Sequence, residues 1–387
     1  MTTIQTSPGL PRHDGVATRP ESDRRRVSVA EYSHYRQHGY LVARQVLTPE
    51  EVAELREHTE DLMQGRLPEQ QELDVFDPDN APVGKTNEYR REAGSVRHLV
   101  RPPEHLSPAE KAQHFLRIHM LHRQLALHER YMLHPRVLDL VEVLTGPDVL
   151  ALQTMLFLKP PGKTGQGWHQ DSYYIPTMPD SLIGAWIAID DCDEKNGALW
   201  MAKGSSAEPV HPPCPETGYG FGDRLLSDIK FIKNASDPDD ETNWLSGIAD
   251  KYDQVLVTCK AGDVVFFNGH ILHRSKDNWT TDRFRRAFVS HYCNARGFTQ
   301  WGGEPEAKDA FGNPAVDPAT GMSNGSHILA RGDSHLPYAM PRFGTPCAAT
   351  RPAEERQAAA MEAARVIAEA NNGYMGCAIG LPEPEAH

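Results

Sequence analysis

Residues 168–174 read WHQDSYY, and within them His169 and Asp171 stand two apart. On a strand, residues i and i+2 point to one face, roughly 6.5–7 Å apart along the chain. At a strand end, an imidazole and a carboxylate so placed can bend onto one metal ion. The pair alone is a weak signal. The chain carries 19 histidines, enough for one such pair by chance, and ordinary strand-end hydrogen bonding would also explain it. His58 and Glu60 share the spacing but fall within a helix pattern, where i and i+2 do not share a face, so His58 is expected at the surface. A usable site needs a third ligand. The stretch AGDVVFFNGHILHRSKDN offers His270 and His273, three apart and therefore on opposite faces of a strand. His273 is favoured: it follows apolar Ile271-Leu272, whereas His270 comes straight after the turn signal Asn268-Gly269. Two histidines and one carboxylate make the facial triad of non-haem Fe(II) oxygenases, which leaves three metal positions for a cosubstrate and O2.

An acidic organic cosubstrate needs a fixed cation, and arginine grips a carboxylate through a two-pronged fork. RFRRAFVSHY supplies Arg283, Arg285 and Arg286 at the mouth of an apolar strand. One of the three can point inward while the others meet solvent. Lys159 and Lys163 could also meet an anion, although single lysines in loops are usually solvated.

These residues must be held by a scaffold. The run Thr48-Pro49-Glu50-Glu51 is a strong helix start, with a capping threonine, a proline at the first helical position and a glutamate that completes a capping box. Val52, Leu55, Thr59 and Leu62 follow at helical spacing. A second helix is predicted from Pro135 to Leu144, ending at Gly146-Pro147. Residues 40–43 read as a short strand. After Pro147 the pattern becomes short apolar runs at 149–159, 183–190, 198–202, 254–258, 263–268 and 287–293, separated by Gly, Pro, Asn and Asp. That is an antiparallel β fold, a sandwich or barrel, behind an N-terminal helical layer. The predicted organisation is a flexible leader over 1–27, carrying the basic run Arg24-Arg25-Arg26 as a solvated tail. A main domain follows over 28–296, with its β core at about 149–296. Residues 206–253 form a long polar insertion of the kind that serves as a lid. A C-terminal extension over 297–387 carries a helix near 352–370.

With 40 basic against 53 acidic residues the net charge is −13. That balance argues against a nucleic-acid partner. Six scattered cysteines with no CxxC pair exclude a zinc ribbon and suggest free thiols in a reduced, cytoplasmic setting. No apolar run approaches the roughly 20 residues that span a bilayer. The expected partner is a small molecule, and the chain is expected to be a monomer or homodimer.

The ordered run YRQHGYLVARQVLTPEEVAELR, LQTMLFLKPPGKTGQGWHQDSYY, GAWIAIDDCDEKNGALWMAKGSS and AGDVVFFNGHILHRSKDN…FRRAFVSHY resembles the phytanoyl-CoA dioxygenase family of Fe(II)/2-oxoglutarate-dependent oxygenases, over roughly residues 30–295. The resemblance implies a double-stranded β-helix (jelly-roll, cupin-like) core with helices outside it. It implies His169, Asp171 and His273 as the iron ligands. In the family's F-R-[KR]-A context it selects Arg285 as the anchor of the 2-oxoglutarate distal carboxylate, although one extra residue between His273 and Arg285 keeps Arg283 in play. Ser275, Gln153 and Trp186 match further positions lining the cosubstrate pocket. The implied reaction is hydroxylation or another oxidation of an unactivated C–H bond, with 2-oxoglutarate and O2 giving succinate and CO2. Because Asp171 is present where related halogenases lack a carboxylate, halogenation is not expected. Trp168, Tyr173, Tyr174 and His211 are candidate substrate contacts, and strand alternation continued past Asp171 puts Tyr173 on its side of the chain. The competing readings are a cupin-type metalloenzyme without 2-oxoglutarate and a non-catalytic binding protein on the same fold.

Overall fold

The computed structural model describes residues 24–76, 95–96, 98–211, 243, 245–299, 301, 316–317, 322–323, 327–336 and 339–341. The helices are α1 (Val29–His38), α2 (Pro49–Gln64), α3 (Pro108–His114), α4 (Ala126–Met132), α5 (Pro135–Thr145), α6 (Asp171–Tyr174) and α7 (Ser246–Ala249). The strands are β1 (Tyr40–Ala43), β2 (Ser95–Val96), β3 (Arg117–His119), β4 (Val149–Phe157), β5 (Gln166–His169), β6 (Thr177–Met178), β7 (Ile183–Ala188), β8 (Leu199–Ala202) and β9 (Gln254–Val257). They continue with β10 (Val264–Asn268), β11 (His273–Ser275), β12 (Ala287–Asn294), β13 (Phe298–Thr299), β14 (Val316–Asp317), β15 (Met322–Ser323), β16 (Ile328–Arg331) and β17 (Met340–Pro341).

Two sheets carry the fold. The larger runs β1-β10-β7-β12-β4-β16-β17, with β3 pairing β4 and β2 pairing β3; the smaller runs β5-β11-β8-β9. Strand alternation explains the division of the core. Phe288 and Tyr292 of β12, Ile187 of β7 and Phe266 of β10 pack with helix residues such as Leu55, Leu62, Val137 and Leu138. The intervening residues Val289, Trp186 and Phe267 instead pack with Leu199, Met201 and Val257 of the smaller sheet. The result is a double-stranded β-helix with the helical layer on its outside and the space between the sheets on its inside. The α2 start is as predicted: the Thr48 side chain accepts from the Glu51 N–H, Glu51 returns the bond to the Thr48 N–H, and Pro49 opens the helix. α5 ends at Gly146, whose φ of +119° favours glycine.

Four expectations are corrected. Arg24 and Arg25 are not a solvated tail: Arg24 pairs with Glu142, the Arg25 N–H donates to Asp139, and its guanidinium meets Glu31. The boundary placed at 296 does not separate an appendage, because β16 pairs with β4 inside the larger sheet. His58 is half-buried rather than exposed, its ring packed 5.2 Å from that of His128, which fills a gap under Phe288. Alternation does not extend past Asp171, where the chain leaves β5 for the turn of α6. The predicted helix near 352–370, residues 212–242 of the insertion and the leader up to residue 23 lie outside the described residues. No helix among the described residues is long and apolar enough to cross a membrane.

Candidate metal centre and cosubstrate pocket

The site begins at the β5–β11 pairing, whose register sets His273 directly opposite His169. Both belong to the smaller sheet, and their ring centroids lie 4.2 Å apart. Each histidine is fixed in the same way. Nδ1–H of His169 donates to the carbonyl of Gly167 at 2.8 Å, and Nδ1–H of His273 donates to that of Ile271 at 3.1 Å. With the proton on Nδ1, each Nε2 keeps its lone pair. Gln166 agrees with this assignment, since its amide N–H donates to Nε2 of His169 at 3.0 Å. Asp171 stands across from both, with Oδ1 3.7 Å from Nε2 of His169 and 3.8 Å from Nε2 of His273. These are too long for hydrogen bonds. Two imidazole nitrogens that carry no proton of their own and a carboxylate oxygen therefore converge within 4.8 Å, and a metal at His169 would take the place of the Gln166 hydrogen bond. That donor set fits a divalent transition metal such as Fe(II).

The electrostatics point the same way. Burial, with His273 close by, pushes the His169 pKa down to about 3, which keeps its imidazole neutral and able to ligate. Burial opposes the Asp171 charge, but the imidazoles of His273, His291 and His169 outweigh it and hold the carboxyl well below its ordinary range.

The segment between the ligands is clamped. Gln170, buried between His169 and Asp171, donates its amide N–H groups to the carbonyls of His270 and Pro209, while its Oε1 accepts from the His211 N–H. His211 thus sits at the edge of the site on the first residues of the insertion, its Nε2 2.9 Å from Glu208. His270 faces away from the metal cluster, against Asp180 and the Glu208 carbonyl.

The second part of the site lies two residues along β11. The Ser275 hydroxyl is 3.0 Å from Nζ of Lys159 and 3.5 Å from Nη2 of Arg285. Arg285 is 2% exposed and Lys159 4%. The Arg285 guanidinium donates through Nε to the Gly197 carbonyl and lies 5.6 Å from the Trp186 ring and 6.0 Å from that of Phe157. Burial lowers its pKa to about 10, so it stays charged near neutrality. Burial also pushes Lys159 well below the ordinary lysine range, with Arg285 adding to the effect. Two glycines allow this close packing. A Cβ on Gly165 would lie 1.8 Å from the Ser275 carbonyl oxygen, and one on Gly197, where φ is +78°, would lie 2.5 Å from that of Lys276.

Arg283 behaves differently from Arg285. It is half-exposed and forms a two-pronged pair with Asp193 at 2.8 and 3.0 Å. Lys159, expected to be solvated, is instead buried. Trp168 is also corrected as a substrate contact. Its ring points to the far side of the smaller sheet, under Leu245, Ile248 and Leu272, with Arg274 stacked on it at 4.5 Å. Tyr174 remains near the metal cluster, 6.4 Å from the His169 ring, and Tyr173 packs edge-on against Tyr174 at 5.4 Å. Gln153 is buried on β4, opposite His291 on β12. Sequence reading passed over Gln166 and His291, and it weighed Lys159 against the solvated state usual for a loop lysine. The period-2 pattern of β12 was the available signal for His291, since it shares a face with Val289 and Ala287.

The phytanoyl-CoA dioxygenase family model matches residues 35–287. Peroxisomal phytanoyl-CoA dioxygenase of Rattus norvegicus is 26% identical over 271 residues, 69% of this chain and 68% of that protein. The Homo sapiens protein of the same name is 31% identical over 171 residues, 43% of this chain and 46% of that protein, so the chain aligns with just under half of its length. Among solved structures, EctD from S. alaskensis in its apoform is similar with a TM-score of 0.47 at 19% identity, over 74% of this chain and 83% of that one. With the family model matched over most of its length and through both halves of the site, the chain belongs to the phytanoyl-CoA dioxygenase family of Fe(II)/2-oxoglutarate-dependent oxygenases.

Proposed function

We propose that the chain is a hydroxylase that uses 2-oxoglutarate and O2 to oxidise an unactivated C–H bond of a small-molecule metabolite or biosynthetic intermediate, releasing succinate and CO2. The observation that carries this reading is the placement, on one three-residue strand, of His273 in the candidate metal cluster and Ser275 in a pocket holding a buried guanidinium and a buried lysine. His169, Asp171 and His273 would hold Fe(II), which supplies O2 activation when bound. Arg285 and Ser275 would hold the distal carboxylate of 2-oxoglutarate, with Lys159 beside them and Trp186 and Gln153 lining the pocket. A buried guanidinium and a buried lysine amine with only neutral hydrogen-bond acceptors favour an anionic ligand end, beside which the amine would hold its proton. Neutral His169 keeps the metal-binding face free of protons, and the apolar ring of Phe267, 4.9 Å from His273, helps exclude water. Tyr174, Tyr173 and His211 lie where a substrate would approach. Asp171 fills the ligand position that a halide would need, which favours hydroxylation over halogenation.

The test is anaerobic addition of Fe(II) and then 2-oxoglutarate. A visible metal-to-ligand charge-transfer band is expected, followed under O2 by succinate release that rises with the right metabolite, whose product gains one oxygen atom. A protein that binds iron but gives no band with 2-oxoglutarate would favour the cupin-type chemistry. One that binds neither would favour a binding protein.

A further inference from the structure

Asp171 presents two oxygens to two different neighbours. Oδ1 faces Nε2 of His169 and of His273, while Oδ2 lies 2.8 Å from Nε2 of His291. His291 comes from the opposite sheet. It stands on β12 in register with Gln153 of β4, at a bulge where the β12–β4 pairing shifts by one residue. Its neighbours on the inner face of β12, Val289 and Ala287, belong to the apolar packing between the sheets. Gln153 and His291 are each 3% exposed, and Nε2 of Gln153 lies 3.1 Å from Nδ1 of His291.

These contacts fix the proton positions. An amide NH2 can only donate, so Nδ1 of His291 must offer its lone pair. The imidazole proton then sits on Nε2 and is donated to Oδ2 of Asp171. The chain of donors runs Gln153 to His291 to Asp171, in one direction. Turning the Gln153 amide over would place its oxygen against Nδ1. Both imidazole nitrogens would then need protons. In the orientation shown, Nε2 of Gln153 also lies 3.8 Å from Sδ of Met155, and Oε1 is buried without a protein partner.

We propose that His291 is a positioning residue that restricts Asp171 to a one-oxygen metal bond. Its Nε2–H occupies Oδ2, so Oδ1 alone is offered between the two histidines. A small rotation of a free carboxylate would bring both oxygens onto the metal and take a position that cosubstrate or O2 needs. The hydrogen bond from His291 resists that rotation, and Gln153 sets the tautomer that makes the bond possible. Partners of this kind behind metal ligands typically change metal affinity by about 10–100-fold when removed.

The inference rests on Asp171 being a metal ligand, and its test separates the two ideas. The full chain and its His291→Phe, His291→Gln and Gln153→Leu variants would be titrated with Co(II) against a competing chelator. The same four proteins would be examined with Fe(II) and 2-oxoglutarate by visible absorption, and their thermal midpoints would be recorded without metal. His291→Phe is expected to bind Co(II) about 10–100-fold more weakly and to shift or weaken the visible band. His291→Gln, whose amide N–H can reach Oδ2, is expected to recover most of the affinity. Gln153→Leu is expected to fall between wild type and His291→Phe, and it carries the test if His291→Phe does not fold. Metal affinities within about twofold of wild type across the folded variants would overturn the inference, as would a lowered thermal midpoint with unchanged affinity and band. Failure of the wild type to bind one equivalent of metal would overturn the reading of the triad itself.

Discussion

Two groups of charges flank the end of β12, and they are built in opposite ways. Outside, Arg286 and Arg283 each have a carboxylate. Arg286 donates to both oxygens of Asp190 at 2.8 Å and reaches Glu60 at 3.0 Å, and Arg283 forks onto Asp193. Inside, Arg285 and Lys159 share the Ser275 hydroxyl and two backbone carbonyls, and no carboxylate hydrogen-bonds to either among the described residues. Charge burial without a partner is costly. A fold that matches its cations on one side of a strand and leaves Arg285 and Lys159 without a carboxylate on the other suits the proposed role of the second place, holding an anion brought by a ligand. Adjacent residues of one type, Arg285 and Arg286, therefore serve different ends.

The comparison can be broken by exchanging its parts. The largest effect is expected from Arg285→Leu: removing a two-pronged carboxylate grip should weaken 2-oxoglutarate binding by roughly 100-fold or more, read by titration of the visible band. Unchanged binding would return the anchor role to Arg283. Arg286→Ala should leave cosubstrate affinity intact and instead lower stability by about 2 kcal/mol, because Asp190 loses its guanidinium; urea unfolding would measure it. Lys159→Met should separate the two quantities by sign. It is expected to weaken 2-oxoglutarate binding about 10-fold while leaving the ligand-free protein as stable as wild type or up to about 1 kcal/mol more so, since a buried amine without a carboxylate partner is removed. A large loss of stability would show that Lys159 is structural.

Away from the ligand pocket, two buried histidines are expected to stay neutral, and pH tests that. Burial holds His327 at a pKa of about 3 and His128 well below its ordinary value. In the unfolded chain both take up protons near pH 6.5, so below about 6.5, and for His327 down to about 3, the unfolded state binds more protons and stability must fall as pH falls. The slope approaches about 1.4 kcal/mol per pH unit for each group. His270 works in the other direction. Its bond to Asp180 raises its pKa, so its contribution is full below 6.5 and is lost as pH rises through the folded value. Urea unfolding at pH 7 and pH 5 should show the net loss, and a protein equally stable at both would contradict it. The smallest effect belongs to Arg283→Ala, at most about 1 kcal/mol for a half-exposed pair, with no change in cosubstrate affinity.

Much of this molecule is legible along the chain. The capping box at Thr48 and Glu51, the apolar runs that became β4, β7, β10 and β12, and the facing of His273 rather than His270 follow from local chemistry and from the period of two along a strand. Those rules act over a few residues, so one sequence carries them. What they missed depends on distance across the fold. WHQDSYY stopped being a strand after His169 because Gln170 is held by Pro209, His211 and His270, partners roughly 40 and 100 positions away, so alternation misplaced Tyr173. Trp168 followed alternation faithfully, onto the far face of its sheet. Lys159 looked like a loop lysine, and only the packing of Gly165 and Gly197 against the end of β11 encloses it.

The sequence by itself determined which residues are proposed to bind metal, the type of the strands that carry them and the family to which the chain belongs, since each is written in residue type and short-range spacing. Only the tertiary structure decided which cations are left without a carboxylate and which imidazole stands behind Asp171. Burial and charge pairing are properties of the space between sheets, and neighbours there, such as Gln153, His291 and Asp171, come from three separate elements that no local pattern connects.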